Sequence, residues 1–491
     1  MNCIDVLDGN CTGDGIDGER AAMSYADKRY EQLADQLETL IRDQVYPVGG
    51  RLPGVRKLGE QHGVSVATVV SACRELEQRG VLEARPRSGF FVCPPPARRE
   101  APSLPSVGRR PRAVTGQERL LRMVQAVNDP ALVNLGAAVA DPDFQPVAGM
   151  ERAFRTVLRE QRRRCVGYEF PPGAPELRAG LARRLAALRC PVSPDNVLIT
   201  NSCQESVAIA LRMLTKPGDT VAIESPTYYG LLQVIDSLGL KALEIPTDPI
   251  QGLSLEALTL ALERWPVAAC VVVPNFSNPL GSGMPDARKQ QLLSLLTAHD
   301  VPLVEDDIYG DLPLNGPRPL PIKAWDRDGR VYYCASCSKT LSAGLRVGWL
   351  VPGADRERAW YLQFINTVSV ATPSQLALAH FLDHGQYDRH LRTVRALHAR
   401  AVARMTARVT ELFPAHTRVS RPAGGFVLWL ELAADVDTTE LAERALEAGV
   451  SFAPGALFSA SGKFNHCLRL NCAVRWDARV ERALGRLAAL L

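Results

Sequence analysis

Between Asn196 and Ala335 short β-branched runs alternate with amphipathic stretches, and this pattern constrains the chain more than any other feature. Asn196–Thr200, Thr220–Glu224, Ala242–Pro246, Ala269–Pro274, Leu303–Asp306 and Val331–Ala335 read as strands. Gln204–Leu214 and Asp286–His299 lie among them with apolar residues at helical spacing. A helix between two strands returns the chain to the same end of a sheet, so the strands pair in parallel and both faces are covered. The expected body is α/β with a mostly parallel central sheet. Beyond Trp360 the pattern turns helical, then yields strands Phe426–Leu430 and Cys467–Leu470 and a closing helix, a smaller C-terminal α/β subdomain.

Length and composition fit a large globular protein. The chain has 491 residues, 46% hydrophobic and 22% charged, room for roughly three domains. Its longest apolar runs, such as Ala268–Val273, fall far short of the roughly 20 residues that cross a bilayer. Asp5, Asp8, Asp14 and Asp17 stand where a signal peptide needs a basic and an apolar stretch. The expectation is a cytoplasmic protein with no membrane partner, whose twelve scattered cysteines are reduced thiols. A formal charge of +4 does not by itself mark a nucleic-acid binder, but the charge is unevenly spread. Four regions emerge: an acidic, poorly ordered tail over 1–27, a compact helical unit over 28–93, a Pro- and Arg-rich linker over 94–117, and one large α/β body over 118–491.

Within the helical unit, Tyr30–Val45 carries an apolar stripe of Leu33, Leu37, Leu40 and Ile41. Val55–His62 is a second helix. Gly63-Val64-Ser65 turns the chain into a third, Val66–Arg79, with Ser65 as N-cap and Gly80 after its end. Strands Val81–Ala84 and Gly89–Cys93 flank a turn. Helical spacing alone leaves a small protein-interaction domain open. Three helices and a β-wing describe a winged helix-turn-helix, whose third helix enters the major groove. Arg56, Lys57, Ser65, Thr68, Arg85, Arg87, Ser88 and Gly89 are the candidate DNA-binding residues. The stretch RLPGVRKLGEQHGVSVATVVSACRELEQRGVLEARPRSGFFV resembles the GntR family of regulators. It departs from the family at Gly54, usually Ser, and at Val66, usually Arg, so the operator is not carried over.

The strongest chemical signal is SCSKTLSAGLRVG over Ser336–Gly348. A lysine at a strand end can form a Schiff base with an aldehyde, and nearby hydroxyls with an arginine seven residues on can hold a phosphate. Pyridoxal 5′-phosphate needs those groups and an acid at its ring nitrogen. Asp306 follows the apolar run Val301–Val304, with Tyr309 three residues on. Asn278 in NFSNPLG offers a second donor to the ring hydroxyl, Thr200–Gln204 makes a strand-to-helix turn suited to phosphate, and Tyr228 can stack on the ring.

Together these motifs resemble the fold-type I aminotransferases over about 360 residues, in order. The resemblance makes Lys339 the Schiff-base lysine and catalytic residue, Asp306 the pyridinium partner, Tyr309 and Asn278 donors to the ring oxygen, and Tyr228 the stacking ring. It sets Ser202, Cys203, Gln204, Ser336, Ser338 and Arg346 around the phosphate. Tyr168 corresponds to a tyrosine that reaches the neighbouring subunit's phosphate, and Arg469 to the arginine that clamps a substrate carboxylate. Departures are Ser202 for a common Gly, Leu280 for Thr and Ala343 for Pro.

Other signals carry less. Gly13–Gly18 spells GxGxxG but follows no strand, and Asp8–Glu19 half-matches a calcium loop. Cys334 and Cys337 form a CxxC with no second pair, and His380, His384 and His390 lack a metal-motif spacing. No metal site is expected.

A winged helix joined to an aminotransferase-like body resembles the MocR subgroup of GntR regulators. The resemblance implies a bacterial, homodimeric transcription factor that binds operator DNA. It would hold pyridoxal phosphate through Lys339 and sense an amine or amino acid by external aldimine formation. The alternative is an active aminotransferase carrying a DNA-binding head. A DNA-binding scaffold with a dead pocket is the third reading, and intact Lys339, Asp306 and Arg346 argue against it.

Overall fold

The computed structural model describes residues 16–491 except 79–80, 86–87, 94–98, 106–109, 115–120, 122–124 and 126–128. Gly80 and Arg87 lie outside the described residues. The chain divides into two compact units, Met1–Arg98 and Arg99–Leu491.

In the first unit, helices α1 (Ile16–Arg42), α2 (Val55–His62) and α3 (Val66–Gln78) precede strands β1 (Leu82–Arg85) and β2 (Gly89–Val92). The apolar stripe buries Leu33, Ala34 and Leu37 against Leu58 of α2 and Val69, Ala72, Cys73 and Leu76 of α3. At about 1.5–3 kcal/mol per buried aliphatic side chain, that cluster is the principal cohesion of so small a unit. Two glycines shape the turn. Gly63 caps α2 in the left-handed region at φ 61° and donates to the Gly59 carbonyl, while a Cβ on Gly59 would stand 2.9 Å from the Val64 carbonyl oxygen. The helix expected from Tyr30 begins at Ile16, inside the stretch read as a tail, and ends at Arg42, not Val45. Ala21, Ala22 and Met23 favour helix, and Gln44 at φ 61° stops it.

The second unit centres on an eight-stranded sheet. After the short β3 (Val133–Asn134), its strands are β4 (Leu198–Thr200), β5 (Thr220–Ser225), β6 (Lys241–Asp248), β7 (Gly252–Leu253), β8 (Val267–Val272), β9 (Leu303–Asp306), β10 (Val331–Ser336) and β11 (Gly348–Val351). Their order is β4-β11-β10-β9-β8-β5-β6-β7. The five strands β10, β9, β8, β5 and β6 are mutually parallel, while β11 and β7 run against their neighbours. Alternation along each strand feeds two cores. Val221, Ile223, Ala269, Val271 and Val304 pack with helices Cys203–Leu214 and Tyr229–Ser237. Ala222, Cys270, Val272 and Leu303 pack with Leu255–Arg264 and Asp286–Ala298. The smaller subdomain is a four-stranded sheet, β12 (Arg418–Val419), β13 (Val427–Glu431), β16 (Cys467–Asn471) and β15 (Ala453–Pro454) in that order, with β14 (Val450–Ser451) paired to β3. Helices Gln386–Leu412, Thr438–Glu447 and Ala478–Ala489 cover it.

The stretch expected as a linker is tied to this unit in its described parts. The Arg99 guanidinium donates to the carbonyls of Thr410, Phe413 and Pro414, satisfying acceptors that the end of helix Gln386–Leu412 leaves open. Ser103 donates to Glu431, Arg112 pairs with Ala242 at the edge of β6, and Val114 is buried in the core. An extended, proline-rich chain leaves its backbone free to pair with such partners, so low helix propensity here does not mean detachment.

Candidate cofactor pocket and DNA-binding surface

The turns that follow β4, β5, β8, β9 and β10 open at one edge of the large sheet, where ligands of open α/β sheets bind. One cavity there is lined by Ser202, Cys203, Gln204, Tyr228, Asn278, Asp306, Tyr309, Ser336, Ser338, Lys339 and Arg346, with Val207, Leu231, Val271 and Ile308 among its apolar walls. The sequence-derived cofactor residues are thus brought together from segments more than 140 residues apart, except Tyr168.

Lys339 follows the last residues of β10, and its ammonium donates to the Ala138 carbonyl. Burial, aided by the positive Arg469 and Arg346, lowers its pKa to about 8. Near pH 7 roughly a tenth of such an amine is neutral, against about three in ten thousand for an ordinary lysine. Burial pushes Asp306 up to about 6 against the hydrogen bonds from Cys203 and Ile308, which leaves it about nine-tenths ionised at neutral pH. Two buried polar atoms at the cavity, Tyr309 Oη and Ser338 Oγ, have no hydrogen-bond partner. Such atoms cost about 1–3 kcal/mol each if left so. Burial holds the Tyr309 and Tyr228 hydroxyls well above the usual phenol range, so both remain donors.

The corner where the sequence expects a phosphate is built by close backbone approach. Ser202 caps helix Cys203–Leu214, accepting from the Glu205 amide at 3.2 Å, and the amides of a helix's first turn, left without intrahelical acceptors, suit an anion. Ser202 has φ −173°, extended backbone open to any residue, so its replacement of the common glycine costs nothing there. The close approach is carried instead by Gly348, where a Cβ would stand 2.5 Å from the Ser202 carbonyl carbon. Arg346 sits at φ 53°. The chemistry of this donor set fits pyridoxal 5′-phosphate: an amine, a carboxylate, unsatisfied hydroxyls and an anion corner in one cavity.

Arg469 lies on β16, fully buried. It donates to Asn278 Oδ1 at 3.1 Å and to the Gly136 carbonyl, while its Nε has no partner. Phe458 and Tyr229 flank the guanidinium at 5.3 and 5.8 Å. Among the described residues no carboxylate pairs with it. Tyr168 stands outside the cavity of its own chain, 72% exposed, against Phe170 at 5.4 Å between ring centres. Phe170 in turn meets Phe364 at 6.1 Å.

Sequence reasoning missed three groups: the Ala138 carbonyl, the Ile308 amide and the thiol of Cys203. Backbone groups carry no residue-type signal, and Cys203 was assigned to the phosphate alone. Its Sγ instead lies 3.1 Å from Asp306 Oδ1. Cys334 and Cys337 are buried thiols, and no metal-binding cluster occurs among the described residues. His390 bonds the Thr340 carbonyl at 2.7 Å, and the His380 and His384 rings meet at 4.1 Å, tilted by 34°.

In the first unit, the Thr68 amide donates to Ser65 Oγ at 3.1 Å, as expected of an N-cap, and the two hydroxyls are 2.8 Å apart. Arg56 and Lys57 are exposed in the first turn of α2. On the wing, Arg85 pairs with Glu83 at 3.0 Å and lies over Phe91 at 4.4 Å. An exposed pair of this kind is worth about 0–1 kcal/mol, too little to withhold the arginine from a phosphate. The Ser88 amide bonds the Arg85 carbonyl and Gly89 has φ 97°, which sets the wing's turn.

A winged helix-turn-helix and a body of the fold-type I aminotransferase class are therefore carried by one chain. Residues 132–487 match the aminotransferase class I and II family, and residues 29–92 match the bacterial regulatory proteins of the gntR family. The chain belongs to the aminotransferase class I and II family and, with its GntR head, to the regulators of MocR architecture. It is 39% identical to the uncharacterized HTH-type transcriptional regulator YjiR of Escherichia coli K12, over 94% of this chain and 98% of that one. Against the 2-aminoadipate transaminase of Thermus thermophilus the identity is 29%, over 76% of this chain and 92% of the enzyme. Among solved structures, the Pyrococcus horikoshii kynurenine aminotransferase, in complex with PMP, is similar with a TM-score of 0.71 and 26% identity, over 77% of this chain and 94% of that one. No helix among the described residues is long and apolar enough to cross a membrane.

Proposed function

We propose that the protein is a bacterial, cytoplasmic, dimeric regulator that holds pyridoxal phosphate on Lys339 and changes its operator binding when an amine or amino acid enters the pocket. The observation that carries this reading is the span of the likeness: the regulator YjiR is similar over 94% of this chain, head included, whereas the 2-aminoadipate transaminase is similar over 76%.

When bound, the cofactor supplies an aldehyde that can exchange one amine for another. Lys339 serves as the resident amine, and its lowered pKa keeps a useful fraction neutral. Asp306 would accept a hydrogen bond from the protonated ring nitrogen and hold that proton in place, Tyr309 and Asn278 would donate to the ring oxygen, and Tyr228 would cover one face. Ser202, Cys203 and Gln204 offer amides, and Ser336, Ser338 and Arg346 side chains, to the phosphate. Arg469 grips the effector's carboxylate, since a buried guanidinium with an unused Nε and no carboxylate partner is costly alone. Tyr168 and the exposed Val166, Phe170, Tyr361 and Phe364 meet a second copy, where Tyr168 reaches the neighbouring phosphate. Two tethered heads then share one operator at high effective concentration. In the head, Arg56, Lys57, Arg85, Ser88 and Gly89 face phosphates, and the first turn of the third helix, with Ser65 and Thr68, faces base edges.

A second reading, an aminotransferase that carries a DNA head, is favoured by the completeness of the pocket. One experiment separates the two. Operator affinity and amino-group transfer are followed with a panel of amino acids and simple amines, for wild type and Arg469→Ala. The regulator reading expects affinity to shift with little turnover, and Arg469→Ala to lose the amino-acid response while keeping that to amines without a carboxylate. Turnover without any change in operator affinity supports the enzyme instead. An undiminished amino-acid response in Arg469→Ala removes Arg469 from the clamp.

A further inference from the structure

Cys203 and Asp306 lie 103 residues apart and meet in the lining of the cavity. Cys203 opens helix Cys203–Leu214 and is 1% exposed. Its Sγ is 3.1 Å from Asp306 Oδ1, and the Ile308 amide donates to the same oxygen at 3.1 Å. A carboxylate oxygen offers two in-plane lone pairs, so these two donors saturate Oδ1. Among the described residues no protein donor reaches Oδ2. The carboxylate is loaded on one oxygen only.

We propose that Cys203 is a positioning residue for the cofactor ring: its thiol donates to Asp306 Oδ1 and fixes the carboxylate with Oδ2 free for the ring-nitrogen proton. This rests on the pyridoxal phosphate reading above. Burial, and then the charge of Asp306, hold Cys203 as a thiol, so it acts as donor. The first residue of a helix has no preceding turn to take its side-chain proton, and the carboxylate is the acceptor in reach. The bond also acts on charge. Burial and Asp307 raise Asp306, while Cys203, Ile308 and Lys339 lower it. Without the thiol the carboxyl moves toward its neutral form, which has no charge to pair with a protonated ring nitrogen. The same residue does two jobs: its backbone amide belongs to the phosphate corner and its side chain to the ring.

The test compares wild type, Cys203→Ser and Cys203→Ala, each stripped of cofactor and titrated with pyridoxal phosphate at neutral pH. Two quantities are read: the dissociation constant, and the visible absorbance of the ring-protonated bound form. A lost hydrogen bond to a charged group, discounted for the weak thiol donor, predicts about tenfold weaker binding in Cys203→Ala and a fall in the ring-protonated band. Cys203→Ser keeps a donor at the same oxygen and stays within about twofold of wild type on the same scale. Equal losses in Ser and Ala would mean that Cys203 acts by its volume, and wild-type values in Ala would mean that it does not act on the ring; either overturns the proposal. A wild type that takes up no pyridoxal phosphate overturns the cofactor reading itself, a result distinct from both.

Discussion

The DNA head and the cofactor cavity use polar side chains in opposite settings. In the head, Arg56 and Lys57 are exposed and Arg85 is held only by an exposed pair with Glu83 and by the Phe91 ring. Lys339 and Asp306 in the cavity, and Arg469 behind its lining residue Asn278, sit in surroundings that move their proton equilibria or leave a donor unused. The first setting suits a polyanion whose binding grows contact by contact and falls with salt. The second suits one small ligand that must satisfy several buried groups together. Substitutions should therefore grade the head and switch the cavity.

The largest expected effect lies in the cavity. Lys339→Ala should abolish borohydride-fixed attachment of pyridoxal phosphate, measured by mass spectrometry of the reduced protein. Fixed cofactor found on another lysine would break the assignment. In wild type stripped of cofactor, the rate of covalent loading should rise with pH around a midpoint near 8, because only the neutral amine attacks and burial lowers the pKa to about 8 from 10.5. A midpoint near the ordinary lysine value would show that Lys339 is solvated.

Gly348→Ala should come next. A Cβ 2.5 Å from the Ser202 carbonyl carbon must part β11 from the phosphate corner, at about 2–3 kcal/mol of stability. Urea unfolding checks the cost and cofactor titration checks the corner. Wild-type values in both would mean that the turn shifts freely. The smallest effect belongs to the head. Arg56→Ala should weaken operator and non-specific DNA alike and reduce the slope of log affinity against log salt by about one. An unchanged slope removes Arg56 from the phosphate-facing surface.

The same contrast explains what was legible in the sequence. Strand ends with chemical residues are visible because a parallel sheet delivers its turns to one edge, so Asp306, Lys339 and Asn278 converge once the strands are read. The helix-turn-helix is visible because Gly63 and the stripe on α1 are local. Contacts that join distant segments were not. Nothing in Ala138 marks its carbonyl as the partner of Lys339, 201 residues away. Arg99 reads as linker charge until helix Gln386–Leu412 places open carbonyls beside it. Cys203 reads only as part of the phosphate turn until Asp306 stands 3.1 Å from it. Ser202 stands where the resemblance has a common Gly, and only the extended backbone there, with Gly348 opposite making the close approach, shows why that departure is tolerated.

The central claim is that the pocket and the head are coupled. It is tested most directly by measuring operator affinity of the cofactor-loaded protein against a panel of amino acids and amines, and the affinity of the active ligand with and without saturating operator. The account predicts that at least one ligand shifts operator affinity by about fivefold or more, and that operator shifts that ligand's affinity by the same factor, as linkage requires. Operator affinity that no amine or amino acid changes, in protein fully loaded with cofactor, would contradict it.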